Sequence, residues 1–257
     1  MEWFCVKSVK AEYNILNPKF FLRHINTIAS FIDEGFIFFS NRIRLVGIDP
    51  GRIAILELKM DSDIVETTNK NLLKAPINLD DFAKICKRFS NPEILKLIYD
   101  EPNNTIIIQG KIRNKKKTFK LSTIDIDESK LEDPLPSLSK IKFNSIFRIS
   151  ASDIKDALLD CEMYSEVFTL HANKKGIDIS ATGIIGSNNT LIQLEDEIYG
   201  DEKTEYSTSR VKKIVTPLIG TDILIMFKKD FPIAIYDKIS EKSHMLYYLA
   251  PRIDNNE

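Results

Sequence analysis

The residues of this chain whose types and spacing could do chemistry are basic ones on predicted helices. Lys19 and Arg23 lie one helical turn apart, and Asn26 and Ser30 continue the same face. Lys84, Lys87 and Arg88 mark a second helix, and Arg210, Lys212 and Lys213 a last one. A single exposed lysine is ordinarily only solvated. Here the acids are segregated from the bases. The first helix has no acid before Asp33, and the second has only Asp80 and Asp81, in the first turn, where they complement the helix dipole. Such faces suit phosphate backbones. A third helix breaks the pattern, because Asp153, Asp156 and Asp160 outnumber Lys155, with Lys140, Lys142 and Arg148 nearby. No zinc-finger spacing, helix-turn-helix signature or aromatic RNA-binding motif accompanies these faces, so the expected binding is sequence-independent and salt-sensitive.

Other chemistries find little support. Cys5, Cys86 and Cys161 are odd in number and widely spaced, which reads as buried reduced thiols. His24, His171 and His244 are far apart in sequence and form no zinc-binding spacing, so no metal site is expected. A carboxylate nuclease needs acids clustered around paired metal ions. Asp49, Asp125 and Asp127 are available, but the last two fall in a predicted linker. Phosphate loop and nucleophile elbow are both absent. The expectation is a protein that is not an enzyme and needs no cofactor.

Composition sets the frame. Thirty-six basic residues against 37 acidic ones leave a net charge of -1, which argues against a generally basic nucleic-acid binder but permits basic patches. No apolar run is long enough to span a bilayer. The start, "MEWFCVKSVK", lacks the apolar core of a signal peptide. A cytoplasmic protein with no membrane partner is expected.

The elements that must position the basic faces occur twice. The segments "EILKLIYDEPNNTIIIQGKIRNKKKTFKLSTIDID" and "DILIMFKKDFPIAIYDKISEKSHMLYYLAPRID" align, with Ile106 and Ile108 over Ile233 and Ile235, and Phe119 and Leu121 over Tyr247 and Leu249. Upstream, Phe82 aligns with Val211 and Ile43 with Ile177, at a nearly constant offset. Each unit reads as helix, strands, helix and meander. Asn17 and Pro18 open the first helix, whose apolar face is Phe21, Ile25, Ile28 and Ile32. Asn78 caps a helix over 79–89. In the second unit a helix is predicted over 152–161, with Ile154, Ala157, Leu158 and Cys161 facing inward, and another over 210–215, capped by Ser207 or Ser209. The segments "RIRLVGID" and "RIAILELKM" read as strands. The result is an α+β protein of two similar sheet-plus-two-helix domains, 1–123 and 141–257, joined by an acidic, proline-containing connector at 124–140.

Four stretches give the chain a resemblance: "GIDPGRIAIL", "EYSTSRVKKIVTPL", "DFPIAIYDKI" and "YYLAPRI". With the internal repeat and the connector, they make it similar to the DNA sliding clamps of archaea and eukaryotes, the proliferating cell nuclear antigen (PCNA) family, in its archaeal type. The resemblance implies the ring-forming clamp fold, a trimer of six similar domains with helices lining a hole through which double-stranded DNA passes. It also implies a processivity factor for DNA replication and repair that does no chemistry, is loaded by replication factor C, and tethers polymerase, ligase and flap endonuclease through PCNA-interacting peptides.

Carried onto this sequence, the resemblance assigns DNA contacts to Lys19, Arg23, Lys84, Lys87, Arg88, Lys155, Arg210, Lys212 and Lys213. It assigns a partner-peptide pocket to Ile48, Arg52, Ile53, Ile55, Leu131, Leu135, Pro232, Tyr248, Ala250, Pro251, Arg252 and Ile253. Subunit contacts fall on two edge strands, 118–125 with Thr118, Lys120 and Ser122, and 187–194 with Asn189, Leu191 and Gln193. Lys115, Lys116 and Lys117 precede the first edge, and Glu195, Asp196 and Glu197 follow the second. Opposite charges at the two edges suit head-to-tail closure.

The chain departs from the family in three places. Arg42 stands where a hairpin glycine is usual, the net charge is near neutral, and the third helix is poor in bases. These departures favour a ring with two different sister subunits slightly over a homotrimer. A checkpoint-type clamp subunit and a scaffold that does not encircle DNA are the alternatives; a metal-dependent nuclease is the remote one.

Overall fold

The computed structural model describes residues 10–125, 138, 140–194 and 200–252. The expected first strand around "MEWFCVK" and most of the connector lie outside the described residues, as do Leu131, Leu135, Glu195, Asp196, Glu197 and Ile253. Contacts divide the chain into two compact units. The first takes 1–49, 57–132 and 240–244, and the second takes 50–56, 133–239 and 245–257. Neither is one uninterrupted stretch of chain.

The first unit runs β1 (Lys10–Ile15), α1 (Pro18–Ala29), β2 (Glu34–Phe39), β3 (Ile43–Ile48), β4 (Ala54–Met60, its start shared with the other unit), β5 (Val65–Thr67), β6 (Leu73–Asn78), α2 (Leu79–Cys86), β7 (Ile94–Asp100), β8 (Thr105–Ile112) and β9 (Lys115–Ser122). Its sheets order as β5-β1-β7-β8-β9 and β4-β3-β2-β6. Strict alternation in β1 and β8 sends Ala11, Tyr13, Ile15, Ile106 and Ile108 inward. Rings join the layers. Phe39 lies 5.1 Å from Tyr13 and stacks on Tyr99 at 5.4 Å, while Phe21 of α1 meets Phe82 of α2 edge-on at 6.2 Å. Burial pushes the Tyr13 hydroxyl up to about 12, although Asn69 and Thr67 pull the other way, and that hydroxyl donates to the Ser40 carbonyl at 2.8 Å.

Both helix starts in this unit are capped as the sequence predicts. The Asn17 side chain accepts from the Phe20 amide at 3.0 Å, ahead of Pro18, and Asn78 accepts from the Asp81 amide at 2.9 Å. Each cap contributes about 1 kcal/mol. The end of α2 comes earlier than expected, at Cys86. Beyond it the backbone tightens, with Arg88 N bonding Ile85 O and Phe89 N bonding Cys86 O, so the chain closes as short i to i-3 turns.

The second unit runs β10 (Ser145–Ser150), α3 (Ala151–Glu162), β11 (Val167–Asn173), β12 (Gly176–Gly183), β13 (Gly186–Ile192), β14 (Glu202–Ser207), α4 (Thr208–Val215), β15 (Asp222–Phe227), β16 (Ile233–Lys238) and β17 (His244–Leu249, its first residue grouped with the first unit). Its sheets order as β13-β12-β11-β14 and β10-β15-β16-β17. Ser150 caps α3 through the Ser152 amide at 3.2 Å. The α4 helix begins at Thr208, two residues before the sequence expectation. Ser207 occupies the cap position without a side-chain bond, and the Thr208 amide is instead satisfied by the Glu166 carbonyl at 2.9 Å. A short 3-10 turn carrying Pro217 ends the helix.

The repeated hairpins differ at one residue. In β11–β12 the turn uses Gly176 at φ 140, where a Cβ would lie 2.3 Å from the Ile192 carbonyl oxygen. In β2–β3 the equivalent Arg42 needs no positive φ. The Ser40 amide bonds its carbonyl at 2.9 Å, and its guanidinium reaches Asp61 at 3.7 Å.

Glu57 anchors the first unit's polar interior, its side chain only 12% exposed. Burial would raise its pKa, but hydrogen bonds from His244 and Arg44 overcome this and hold it below the usual 4.5. A depressed carboxylate contributes stability above its unfolded pKa, and that contribution is lost as the pH falls through the folded value. Glu57→Gln is therefore expected to lower stability by roughly 1–3 kcal/mol at pH 7. In urea melts, its deficit against wild type should narrow as the pH drops below 4.5. A deficit independent of pH would contradict the assignment.

Candidate nucleic-acid and partner-binding surfaces

The basic residues predicted on the helices fall into two groups. Lys19 is exposed in the first turn of α1, and Lys87 and Arg88 are exposed just past the end of α2. On α4, Lys213 is exposed and Arg210 half-buried. These five present cations outward.

The other four are compensated or folded back. Lys84 bonds Asp80 at 2.8 Å and Asp81 at 3.0 Å, and both carboxylates push its pKa up. Lys212 pairs with Glu162 of α3. The Arg23 guanidinium lies over the Phe20 ring, 5.7 Å from its centroid, and its Nη2 sits 3.5 Å from His24 Nε2. Lys155 is half-buried on a helix whose exposed face carries Asp153, Asp156, Asp160 and Glu162. Exposed ion pairs of the Lys84 kind hold only about 0–1 kcal/mol, so an incoming phosphate could displace the carboxylate.

The C-terminal stretch is held by backbone bonds after its strand ends. β17 stops at Leu249, and then the Ala250 amide donates to the Ile53 carbonyl at 2.8 Å and the Arg252 amide to the Glu205 carbonyl at 2.8 Å. Next to Glu205, the Tyr206 hydroxyl, its pKa pushed up by burial, donates to the Phe231 carbonyl at 3.0 Å. These bonds tie four separate segments of the second unit together. Tyr247 and Tyr248 are buried beneath, at 0% and 7% exposure. Ile53 and Phe231 are 39% and 40% exposed, Pro232, Ala250 and Pro251 are half-buried, and Arg252 is exposed. The second unit thus carries an open apolar shelf with a cation at its end. Arg52, exposed, takes φ 54, and Ile55 is half-buried. Ile48, also half-buried, belongs to the first unit.

Tyr248 supports this shelf from below rather than facing solvent. Phe231, absent from the sequence assignment, is the aromatic on it. The signal was present in "DFPIAIYD", where Asp230 takes φ 60 and turns the chain so that Phe231 stands out with Lys228 Nζ 4.8 Å from its ring centroid.

The two predicted contact strands are edges of their sheets: β9 in the first unit and β13 in the second. Thr118, Lys120 and Ser122 are exposed on β9, which ends at Ser122 rather than Asp125. Asn189, Leu191 and Gln193 are exposed on and just after β13, with Asn189 tied back to Asp178 at 3.3 Å. On their inward side Phe119, Leu121 and Ile192 remain only half-buried, so both edges leave apolar area to be covered. The sequence reading also missed the turn between β12 and β13, where Ile184 and Ile185 are 107% and 78% exposed. The pair "II" between glycines was its signal.

No helix among the described residues is long and apolar enough to cross a membrane, and these residues contain no cluster of metal-binding side chains. No family model matches the chain. Curated relatives do. It is 25% identical over 244 residues to the DNA polymerase sliding clamp of Nitrosopumilus maritimus, covering 90% of this chain and 94% of that one. It is 26% identical over 244 residues to DNA polymerase sliding clamp 1 of Thermococcus kodakarensis, covering 90% and 93%. With the DNA polymerase sliding clamp of Methanococcus maripaludis it shares 25% identity over 251 residues, covering 93% and 98%. Among solved structures, PCNA from Thermococcus kodakaraensis superposes with a TM-score of 0.84 at 19% identity, covering 94% of this chain and all of that one. PCNA from Entamoeba histolytica gives 0.83 at 18% identity, covering 95% and 99%. The chain has the PCNA fold and is a homologue of the archaeal DNA polymerase sliding clamps.

Proposed function

We propose that the chain is one subunit of a DNA sliding clamp, a processivity factor that closes with two further clamp subunits around double-stranded DNA. The observation that carries this reading is the likeness to PCNA over nearly the whole length, at a TM-score of 0.84, together with homology to sliding clamps over 90% of the chain. The open edges β9 and β13 support assembly, because unpaired strands in a soluble protein need a partner or protection. A heterotrimer is slightly favoured over a homotrimer. On this reading domains 1–123 and 141–257 are joined by the connector 124–140. Replication factor C loads the ring, and the protein works in the cytoplasm on chromosomal DNA.

The helices contact phosphates without reading bases. Lys19, Lys87, Arg88, Arg210 and Lys213 carry most of the attraction, and Arg23, Lys84, Lys155 and Lys212 contribute less because of their present partners. The acidic face of α3 makes the basic track discontinuous. A continuous hold is not needed by a ring that retains DNA by enclosure. Replacing Lys87, Arg88 and Arg210 with glutamate is expected to shorten the products of a primed-template extension assay with polymerase and loader. The slope of log affinity against log salt should fall by roughly 0.9 per lost phosphate contact. Unchanged extension and salt slope would contradict the assignment.

Partner enzymes dock on the shelf of Ile53, Phe231, Pro232, Ala250 and Pro251, with Arg52 and Arg252 at its margin. DNA polymerase, ligase and flap endonuclease are the expected owners of the docking peptides. The backbone beyond Ala250 offers further bonds to an extended peptide. Because Tyr248 is buried, Tyr248→Ala would cost about 3–5 kcal/mol through the cavity it leaves and would confound a binding test. Ile53→Glu combined with Phe231→Ala changes exposed atoms instead. Calorimetric titration with a PCNA-interacting peptide should show at least roughly tenfold weaker binding, consistent with loss of an apolar hot spot, while the melting temperature stays near wild type. Undiminished affinity would exclude the shelf.

A further inference from the structure

The outward face of the first unit's five-stranded sheet ends at one corner in a groove of 280 Å³. Ile94, Lys96, Gln109, Lys111, Lys116 and Thr118 line it. The register explains why they meet. Lys111 stands opposite Ile94 on one side and Lys116 on the other, and Gln109 opposite Lys96 and Thr118. The alternate positions Ile106, Ile108 and Gly110 face the core, so these six share the opposite face.

Two features of the groove call for a ligand. Like charges directly opposite on neighbouring strands are unfavourable, and Lys111 faces Lys116. The acids on hand do not balance the set. Glu12 bonds Lys96 at 2.8 Å and Glu93 bonds Lys111 at 2.9 Å, but Lys115, Lys116 and Lys120 have no carboxylate partner among the described residues. At the groove's end Ile94 is 54% exposed. The fitting occupant carries several carboxylates with an aliphatic residue beside them. A nucleic acid fits less well, because no aromatic side chain lines the groove for a base to stack on.

We propose that this groove receives residues 194–198, Leu-Glu-Asp-Glu-Ile, of a neighbouring copy of this chain. The proposal rests on the clamp reading, in which β9 of one subunit pairs with β13 of the next. Antiparallel pairing carries the residues that follow β13 along Lys117, Lys116 and Lys115, whereas parallel pairing would carry them past Asp125. Charge therefore selects the antiparallel register and brings Glu195, Asp196 and Glu197 to the groove lysines. The aliphatic ends of the segment meet Ile94. The segment follows an edge strand and supplies the acids that the lysine face lacks.

The test uses a fluorescein-labelled peptide of residues 193–201, Gln-Leu-Glu-Asp-Glu-Ile-Tyr-Gly-Asp, titrated with the full chain and read by anisotropy. Saturable binding is expected, weakening with added salt. It should fall roughly tenfold with Lys111→Glu and Lys116→Glu together, as for close charge pairs across an interface. A peptide with all three central acids changed to lysine should not bind. Both chain substitutions are on an exposed face, and circular dichroism would verify their fold. Absence of saturation overturns the proposal, as does equal binding by the doubly substituted chain. Displacement of the peptide by an oligonucleotide of far higher affinity also overturns it, making the groove a nucleic-acid site. A chain that forms stable trimers yet ignores the peptide loses the groove assignment and keeps the clamp reading. One that binds the peptide but is not retained on circular DNA keeps the groove and loses the clamp.

Discussion

Each unit of this chain must bury one face of its sheets beneath two short helices, and most other features follow from that constraint. Helices as short as α2 and α4, eight residues each, are not stable alone in water. They persist because Phe82, Val211, Ile214 and Val215 are sunk against strands and against the partner helix. An amphipathic helix anchored this way has only its polar face to offer. On α1, α2 and α4 that face carries lysine and arginine, and on α3 it carries aspartate. The same packing that stabilises the units thus decides where charge is displayed.

Antiparallel sheets packed in this way also end in open edges. β9 and β13 keep unpaired backbone groups and half-buried apolar residues, a hazard for a chain that stays alone and a means of assembly for one that does not. The C-terminal stretch solves the related problem of a terminus. Its strand ends at Leu249, but bonds to Ile53 and Glu205 hold the next three residues, and the apolar surface left between them is narrow and ordered. Binding surface and structural seam are the same residues here.

Much of this was legible in the sequence because it depends on local rules. Asn17, Asn78 and Ser150 sit at helix starts for reasons that a short window reveals. The internal repeat made the second unit readable from the first, and the motifs that named the family lie on strands with strong alternation. Long-range effects were not legible. Nothing local says that Lys84 is tied to two acids, that Lys212 reaches Glu162 on another helix, or that Arg23 folds over Phe20. Tyr248 read as part of a binding surface because its neighbours are, yet strand alternation gives way to burial on both faces at the end of β17. The groove on the outer sheet face needed the register of three strands, which no sequence window contains.

The central claim is enclosure: a ring holds DNA topologically rather than by affinity. The direct measurement is retention of the loaded protein on nicked circular DNA, followed through a high-salt wash, before and after the circle is cut once. The account predicts that the protein stays on the circle in salt that abolishes ordinary phosphate binding and runs off when the DNA is made linear. Equal loss from both forms, or equal retention on both, would contradict it.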